Sequence, residues 1–428
     1  MSKTFRAWDV DQTWLLPPSI HEFVPADHLS HFVRDTVREG LDLSAILSTY
    51  SEGRGYPPFH PGMMTALLLY GYAQGVYSSR KLARACEERV DFMAVTGMNR
   101  PDFRTINQFR LRHLKALEGL FVQVLQLCQA AGLVGLGHVA ADGTKLKANA
   151  SRHKAMSYGR MKQTEVELQR QVAEWMRKAR VADELDDVRH GADRRGDETP
   201  AWMADKQQRL ERILKARAEL EAEAAEHPDD RDPDGPGPSS GMQNRGRPRR
   251  AKDGGPPPNA QRNFTDPDCR IQPTRDGFIA GYNGQVIVAQ RLATNPADYG
   301  ALIPLVDQAR SNLGRKLKLV SADSGFANEA NLAALEERRI RAYLAPNRKT
   351  RRDFKTSPLM AAMADKLRRA GRASPYRLRK QVVEPVFGHI KHARGFRQFL
   401  LRGFQKAKAE WSLICTAHNL LKLARAAG

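Results

Sequence analysis

A chain of 428 residues is long enough for two or three domains, each with its own apolar core, so it is no small stapled scaffold. Lysine and arginine number 69 against 48 acidic residues, a formal charge of +21, which points to a polyanionic partner: nucleic acid or an anionic membrane surface. A spanning helix needs about 20 apolar residues, and the best run, Met63 to Tyr77, is broken by Tyr70, Gly71, Tyr72, Gln74 and Gly75. The start, MSKTFRAWDVDQTW, lacks the apolar core of a secretory signal, so an intracellular protein with no membrane partner is expected. Cys86, Cys128, Cys269 and Cys415 form no CxxC pair and read as inert thiols, neither a disulfide framework nor a zinc site.

Residues 26 to 130 repeat apolar positions every three or four residues and predict helices throughout. One helix begins after Pro61; the next runs RKLARACEERVDFMAV with Ser79 as N-cap. A third carries Phe103, Ile106, Phe109, Leu114, Leu117, Phe121 and Val124 on one stripe, with Arg104, Gln108 and Arg112 opposite. Two arrangements fit equally: a helix-turn-helix and a helical bundle with a solvated basic face. Arg80, Lys81, Arg104 and Arg110 are the candidate DNA contacts of this region.

LVGLGHVAAD, residues 133 to 142, switches to a strand ending in the turn pair Asp142-Gly143. From 154 to 226 two charged segments with narrow seams, Leu168, Val172 and Trp175, then Leu210, Ile213, Leu214, Ala218 and Leu220, predict an antiparallel helical hairpin. Residues 227 to 259 are rich in Pro, Gly, Asp and Arg and read as an unstructured linker. Strands are expected at Gly277 to Tyr282 and Gln285 to Ala289, then a helix from Tyr299 to Leu313, the strand LKLVSAD, a helix over 328 to 338, the strand RAYLAP, and a helix from about 376. This alternation indicates a mixed α/β (α+β) domain, formed by 133–153 and 260–428 and interrupted by the hairpin insertion.

Asp142 and Asp323 each end an apolar strand, where an open α/β sheet exposes side chains to a crevice. Glu384 and Lys391, seven residues apart, would share one helix face. Three carboxylates without histidine or cysteine neighbours suit hard cations such as magnesium, and two such ions would serve phosphoryl transfer. Taken singly, each acid has a plainer reading: Asp142 and Asp323 as turn residues, Glu384 as a solvated helix residue beside Lys391.

The long ordered segments FHPGMMTALLLYGYAQGVYSSRKLARACEERVDFMAVTG, TINQFR, ADGTKLKANASRHKAMSYGRM, QRNFTDPDCRI, SADSGFANEANLAAL, VVEPVFGHIKHARGFRQFLLRG and EWSLICTAHNLLKL resemble a bacterial insertion-sequence transposase of the IS1182 group. That group lies within the DDE superfamily, and the resemblance spans nearly the whole chain. It implies an RNase H-like catalytic core preceded by a helical N-terminal DNA-binding region, residues 1–130. It puts the metal-binding catalytic acids on Asp142, Asp323 and Glu384, with two Mg2+ per site and Mn2+ able to substitute, and the basic residue after the glutamate on Lys391. Tyr376 and Arg379 correspond to a tyrosine and an arginine ahead of that glutamate, each one residue farther away than in related families. Arg379 and Lys391 are then expected to face DNA. Double-stranded DNA, as transposon ends and target, a homodimer or higher synaptic assembly, and a cytoplasmic, nucleoid-associated location are implied by the same resemblance.

Lys145 and Lys147 read either as phosphate contacts or as strand-end charges. RGRPRR, with Arg247 at its centre, matches both a minor-groove hook and an ordinary charged linker. GYNGQVIVAQ runs from a GYN segment straight into a VIVA strand, one strand and a turn shorter than related sequences, which predicts an incomplete meander and a weakened enzyme. Two rivals stay open: a metal-dependent nuclease that cuts without joining, and a transposase-derived DNA-binding protein without activity.

Overall fold

The computed structural model describes residues 19–50, 57–134, 137–190, 201–226, 255–274, 277–286, 288–295, 298, 300–346 and 357–427. The chain divides into two compact units, Met1–Leu133 with Thr416–Gly428, and Val134–Cys415. No helix among the described residues is long and apolar enough to cross a membrane. All four cysteines are free and buried, and burial pushes the Cys86 and Cys269 thiols up to about 12.

The first unit is helical: α1 (Leu29–Asp35), α2 (Ser44–Leu47), α3 (Pro61–Ala73), α4 (Ser79–Glu88), α5 (Val90–Thr96), α6 (Phe103–Arg112) and α7 (Leu114–Ala130). Pro61 opens α3, at a position whose N–H would have no helical partner anyway. From Met64 to Ala73 every residue of that helix is buried, which accounts for its apolar composition without a membrane. The residue preceding α4 is Ser78, and the Ser79 hydroxyl, expected as a cap, accepts instead from Arg110. Asp102 caps α6 through the N–H groups of Arg104 and Thr105. The single long helix expected after Asp102 breaks at His113, which leaves helical geometry (φ −106°, ψ 19°), is buried, and packs its ring against Tyr50 and Phe109. Thr416–Gly428, assigned by the sequence to the catalytic part, group with this unit; there Leu420 is fully buried and the Asn419 carbonyl accepts from the Cys128 thiol.

In the second unit β1 (Val139–Ala141) and β2 (Gly143–Lys147) form one extended run on either side of Asp142. Each half pairs with a different neighbour, and the turn expected at Asp142-Gly143 is not formed. The strand β2 pairs antiparallel with β6 (Gly277–Val286), while β1 pairs parallel with β8 (Leu319–Ala322). A short ladder of β3 (Ala155–Ser157) with β4 (Gln261–Asn263) closes the base of a hairpin made by α8 (Tyr158–His190) and α9 (Ala201–Glu226). Its seam buries Leu168, Ile213 and Leu220 with Tyr158, Met161 and Ala216, whereas Leu214 stays 36% exposed. Arg262 on β4 pairs with Glu219 and Glu223 of α9, and Arg270 on β5 (Arg270–Thr274) shares Glu223.

The strand β6 is a single run of ten residues, not two strands with a turn at Asn283-Gly284. One edge carries β2; the other carries β5 and, end to end with it, β7 (Gln290–Ala293). The run through Asp142, then β6, then β7 is therefore a complete three-strand antiparallel meander, and the expected loss of a strand is not seen. Gly284 must be small: a Cβ there would lie 3.0 Å from the Trp411 ring, whose Nε1 donates to the Gln285 carbonyl at 3.0 Å. After β7 come α10 (Leu302–Leu313), β8, α11 (Glu329–Glu337) and β9 (Arg341–Leu344), with β9 parallel to β8. Val320, Ala322 and Leu344 of the parallel strands are buried in one core with Leu302 and Val306 of α10 and Leu335 of α11. The chain then forms α12 (Pro358–Ala370), α13 (Leu378–Val382), α14 (Glu384–Gly388), a π turn over His389–Ala393, and α15 (Phe404–Ala427). The linker through residue 254, with Arg247 in it, and also Ile287 and Tyr299, lie outside the described residues.

Candidate active site

Ala141 is level with Ala322 in the parallel ladder of β1 and β8, so Asp142 and Asp323 leave adjacent strands side by side. Neighbouring strands run about 4.8 Å apart, and their carboxyl ends open onto the crevice of such a sheet. Asp142 Oδ1 accepts from the Gly143 N–H at 2.9 Å, and Asp323 Oδ1 from that of Gly325 at 3.0 Å.

A third carboxylate that sequence reasoning missed joins them. Asp298, in the segment between β7 and α10, accepts at Oδ1 from Asn283 Nδ2 (2.6 Å) and Gln285 Nε2 (3.1 Å). A Cβ on Gly325 would lie 3.2 Å from Asp323 Oδ1 and 3.4 Å from Asp298 Oδ2, so the two carboxylates flank that glycine. A Cβ on Gly143 would come within 2.6 Å of Asp298 Oδ1, so the residue after Asp142 is a glycine for close approach rather than for a turn. As a lone acid ahead of an amphipathic helix, Asp298 has nothing in its own spacing to set it apart. A usable signal lay elsewhere: Asn283 and Gln285 are amides in an apolar strand, each 1% exposed, and buried amides need partners.

Burial lifts the Asp142 carboxyl above its ordinary range; Arg379 opposes the rise, and Asp323 and Asp298 add to it. Burial likewise raises Asp298, against the two amides and with the help of Asp323. A divalent cation relieves such mutual repulsion, and an all-oxygen donor set suits a hard ion. A positive charge enters the cluster with Arg379, whose Nη1 donates to Asp142 Oδ2 at 2.7 Å from a largely buried position on α13. Its guanidinium carbon lies 5.6 Å from the centre of the Tyr376 ring. Among the described residues no group of three or more His, Cys, Asp or Glu side chains is assembled as a metal cage.

Glu384 is exposed at the start of α14, with no hydrogen bond or ion pair to the aspartates among the described residues. Glu384 to Lys391 lie on one unbroken helical run, α14 passing directly into the π turn His389–Ala393. The break from α13 falls at Val383, ahead of Glu384, and the wider π turn shifts Lys391 away from an ideal two-turn register. Lys391 is half-buried, its Nζ donating to the Lys145 carbonyl at 2.7 Å, and burial lowers its pKa. This ammonium braces β2. Lys145 donates to the Pro273 carbonyl at 2.7 Å, and Lys147 is exposed.

In the first unit Arg80, Lys81 and Arg104 are exposed, and the guanidiniums of Arg80 and Arg104 lie 5.0 and 5.6 Å from the centre of the Phe103 ring. Arg110 does not join them. It is 3% exposed and donates to Tyr72 Oη, the Tyr77 carbonyl, Ser79 Oγ and Asn107 Oδ1; it ties α6 to α3 and α4 and is not presented to DNA.

No curated protein and no solved structure matches this chain. Two families do. The one described as Transposase domain (DUF772) matches residues 18–112, within the helical first unit. The one described as Transposase DDE domain matches residues 343–424, which include Arg379, Glu384 and Lys391 but none of the three clustered aspartates. Together the two matches support a DDE transposase.

Proposed function

We propose that this chain is an insertion-sequence transposase of the IS1182 group, with an RNase H-like core, that cuts and joins DNA at element ends. The observation that carries this reading is the pair Asp142 and Asp323, level with each other on adjacent parallel strands beside an antiparallel meander. Asp142, Asp323 and Glu384 are the catalytic acids; they would hold magnesium, or manganese in its place, which when bound activates the attacking oxygen and stabilises the leaving one. Asp298, fixed by two buried amides, positions the cluster from the β6 side. Arg379 neutralises Asp142 until DNA enters, then turns its charge to a phosphate. Arg80, Lys81 and Arg104 hold the duplex, and two copies join two ends.

The test supplies full-length protein with magnesium and labelled DNA carrying the element's own ends. Wild type should yield both cut and joined products. Asp142→Asn, Asp323→Asn and Glu384→Gln should yield neither while still binding the ends, because an amide keeps the shape but not the charge that a metal needs. Cutting without joining would select the nuclease reading. Joining by all three variants would refute the site.

A further inference from the structure

A cleft of ≈ 580 Å³ in the second unit is lined by the far half of β2, the start of β6 and the segment after α14. Its walls present Lys145, Lys147, Arg152, Lys391, His392 and Arg397, and no acid is among the described residues that line it. Elsewhere in this unit arginines meet carboxylates, as Arg262, Arg270 and Arg338 do. Here four of the cations donate to main-chain oxygens instead. Lys391 donates to the Lys145 carbonyl, Lys145 to that of Pro273, Arg397 to that of Lys391 and Arg152 to that of Phe278. Lys145 also lies within electrostatic reach of Asp298, but Lys147, Arg152, Lys391 and Arg397 pair with no carboxylate among the described residues, so their charge is oriented and not cancelled, the condition for binding a polyanion.

Phe278 lines the same cleft and is 58% exposed. An open phenyl ring adds little to a core, but beside uncompensated cations it offers a face on which a base can stack. The size of the cleft decides what enters. It falls in the range of clefts that take single small ligands, about 300–1,000 Å³, which suits a nucleotide or two and is too small for a duplex. Its position matters as well, since Lys145 follows Asp142 by three residues on one extended run, roughly 10 Å away.

We propose that this cleft takes an unpaired stretch of DNA strand next to the cleavage site, with one base stacked on Phe278 and its phosphates held by Lys147, Arg152 and Arg397. The proposal rests on the reading of the chain as a DNA transposase. The experiment compares full-length wild type, Phe278→Ala and Phe278→Trp for binding to blunt duplex and to the same duplex with a short thymine tail carrying a fluorescent base analogue. Wild type should bind the tailed DNA about tenfold more tightly than the blunt. Phe278→Ala should lose that preference, and Phe278→Trp should keep it and quench the analogue. Equal binding of both DNAs by wild type, or an undiminished preference in Phe278→Ala, would overturn the proposal while leaving duplex recognition standing. Failure of wild type to bind either DNA would remove the transposase reading and this proposal with it.

Discussion

Replacing Arg110 with methionine separates a structural arginine from a DNA contact. Four hydrogen bonds to Tyr72, Tyr77, Ser79 and Asn107 would be lost at a site that is 3% exposed. Hydrogen bonds from a charged donor contribute ~1.5–3 kcal/mol each, but they are not additive, and removing a buried charge recovers part of its desolvation. A net loss of about 3 kcal/mol is expected. At roughly 2–4 °C per kcal/mol for a unit of this size, the melting transition of the first unit should fall by about 10 °C. Arg80→Ala and Arg104→Ala, at exposed positions, should stay within about 0.5 kcal/mol of wild type and weaken DNA binding instead, more so at low salt. Calorimetry and salt-dependent binding titrations on the full chain, well below the transition, read both effects. If Arg110→Met melts like wild type yet binds DNA poorly, the guanidinium faces DNA in solution and the argument from burial is refuted.

Gly143→Ala forces a methyl to within 2.6 Å of Asp298 Oδ1; it should destabilise the second unit by about 1–3 kcal/mol and abolish cleavage while end binding survives, and unchanged cleavage would contradict the close approach. Asp298 has its folded pKa raised by burial, so its destabilising effect is absent below the unfolded pKa, about 3.9, and grows as pH rises toward the folded value. Asp298→Asn should therefore gain stability over wild type at pH 7 relative to pH 4 in denaturant titrations, and a difference that does not change with pH would exclude the coupling. Glu223→Gln weakens the acceptor shared by Arg262 and Arg270 at the hairpin base; a loss of about 1 kcal/mol should appear as faster proteolysis of α8 and α9, and protection equal to wild type would show that the network does not anchor the hairpin.

Local pattern made much of this protein legible. The helices of the first unit, the charged hairpin and the strands around Ala140 and Val320 follow from periodicity, because each must bury one stripe or one run of apolar side chains. Both aspartates could be placed at strand ends for the same reason. Pairing and burial could not be read that way. Asp142-Gly143 has the composition of a turn, and only the two different partners of β1 and β2 show it to be an unbroken crossing point. The GYNGQV segment reads as one strand short, yet β6 passes straight through it, with Gly284 leaving room for the Trp411 ring. Arg110 and Arg104 are indistinguishable as letters six apart on one helix; the packing of α3 and α4 buries one and leaves the other in solvent. Asp298 acquired its place from contacts reaching across 15 residues to Asn283 and onward to Asp323, and such distances in sequence carry no period. Sequence alone determined which segments had to be helix or strand, since that depends on neighbours within a few residues. Tertiary structure decided which charges are shared, buried or exposed, since a carboxylate's environment is built by chain from elsewhere in the fold.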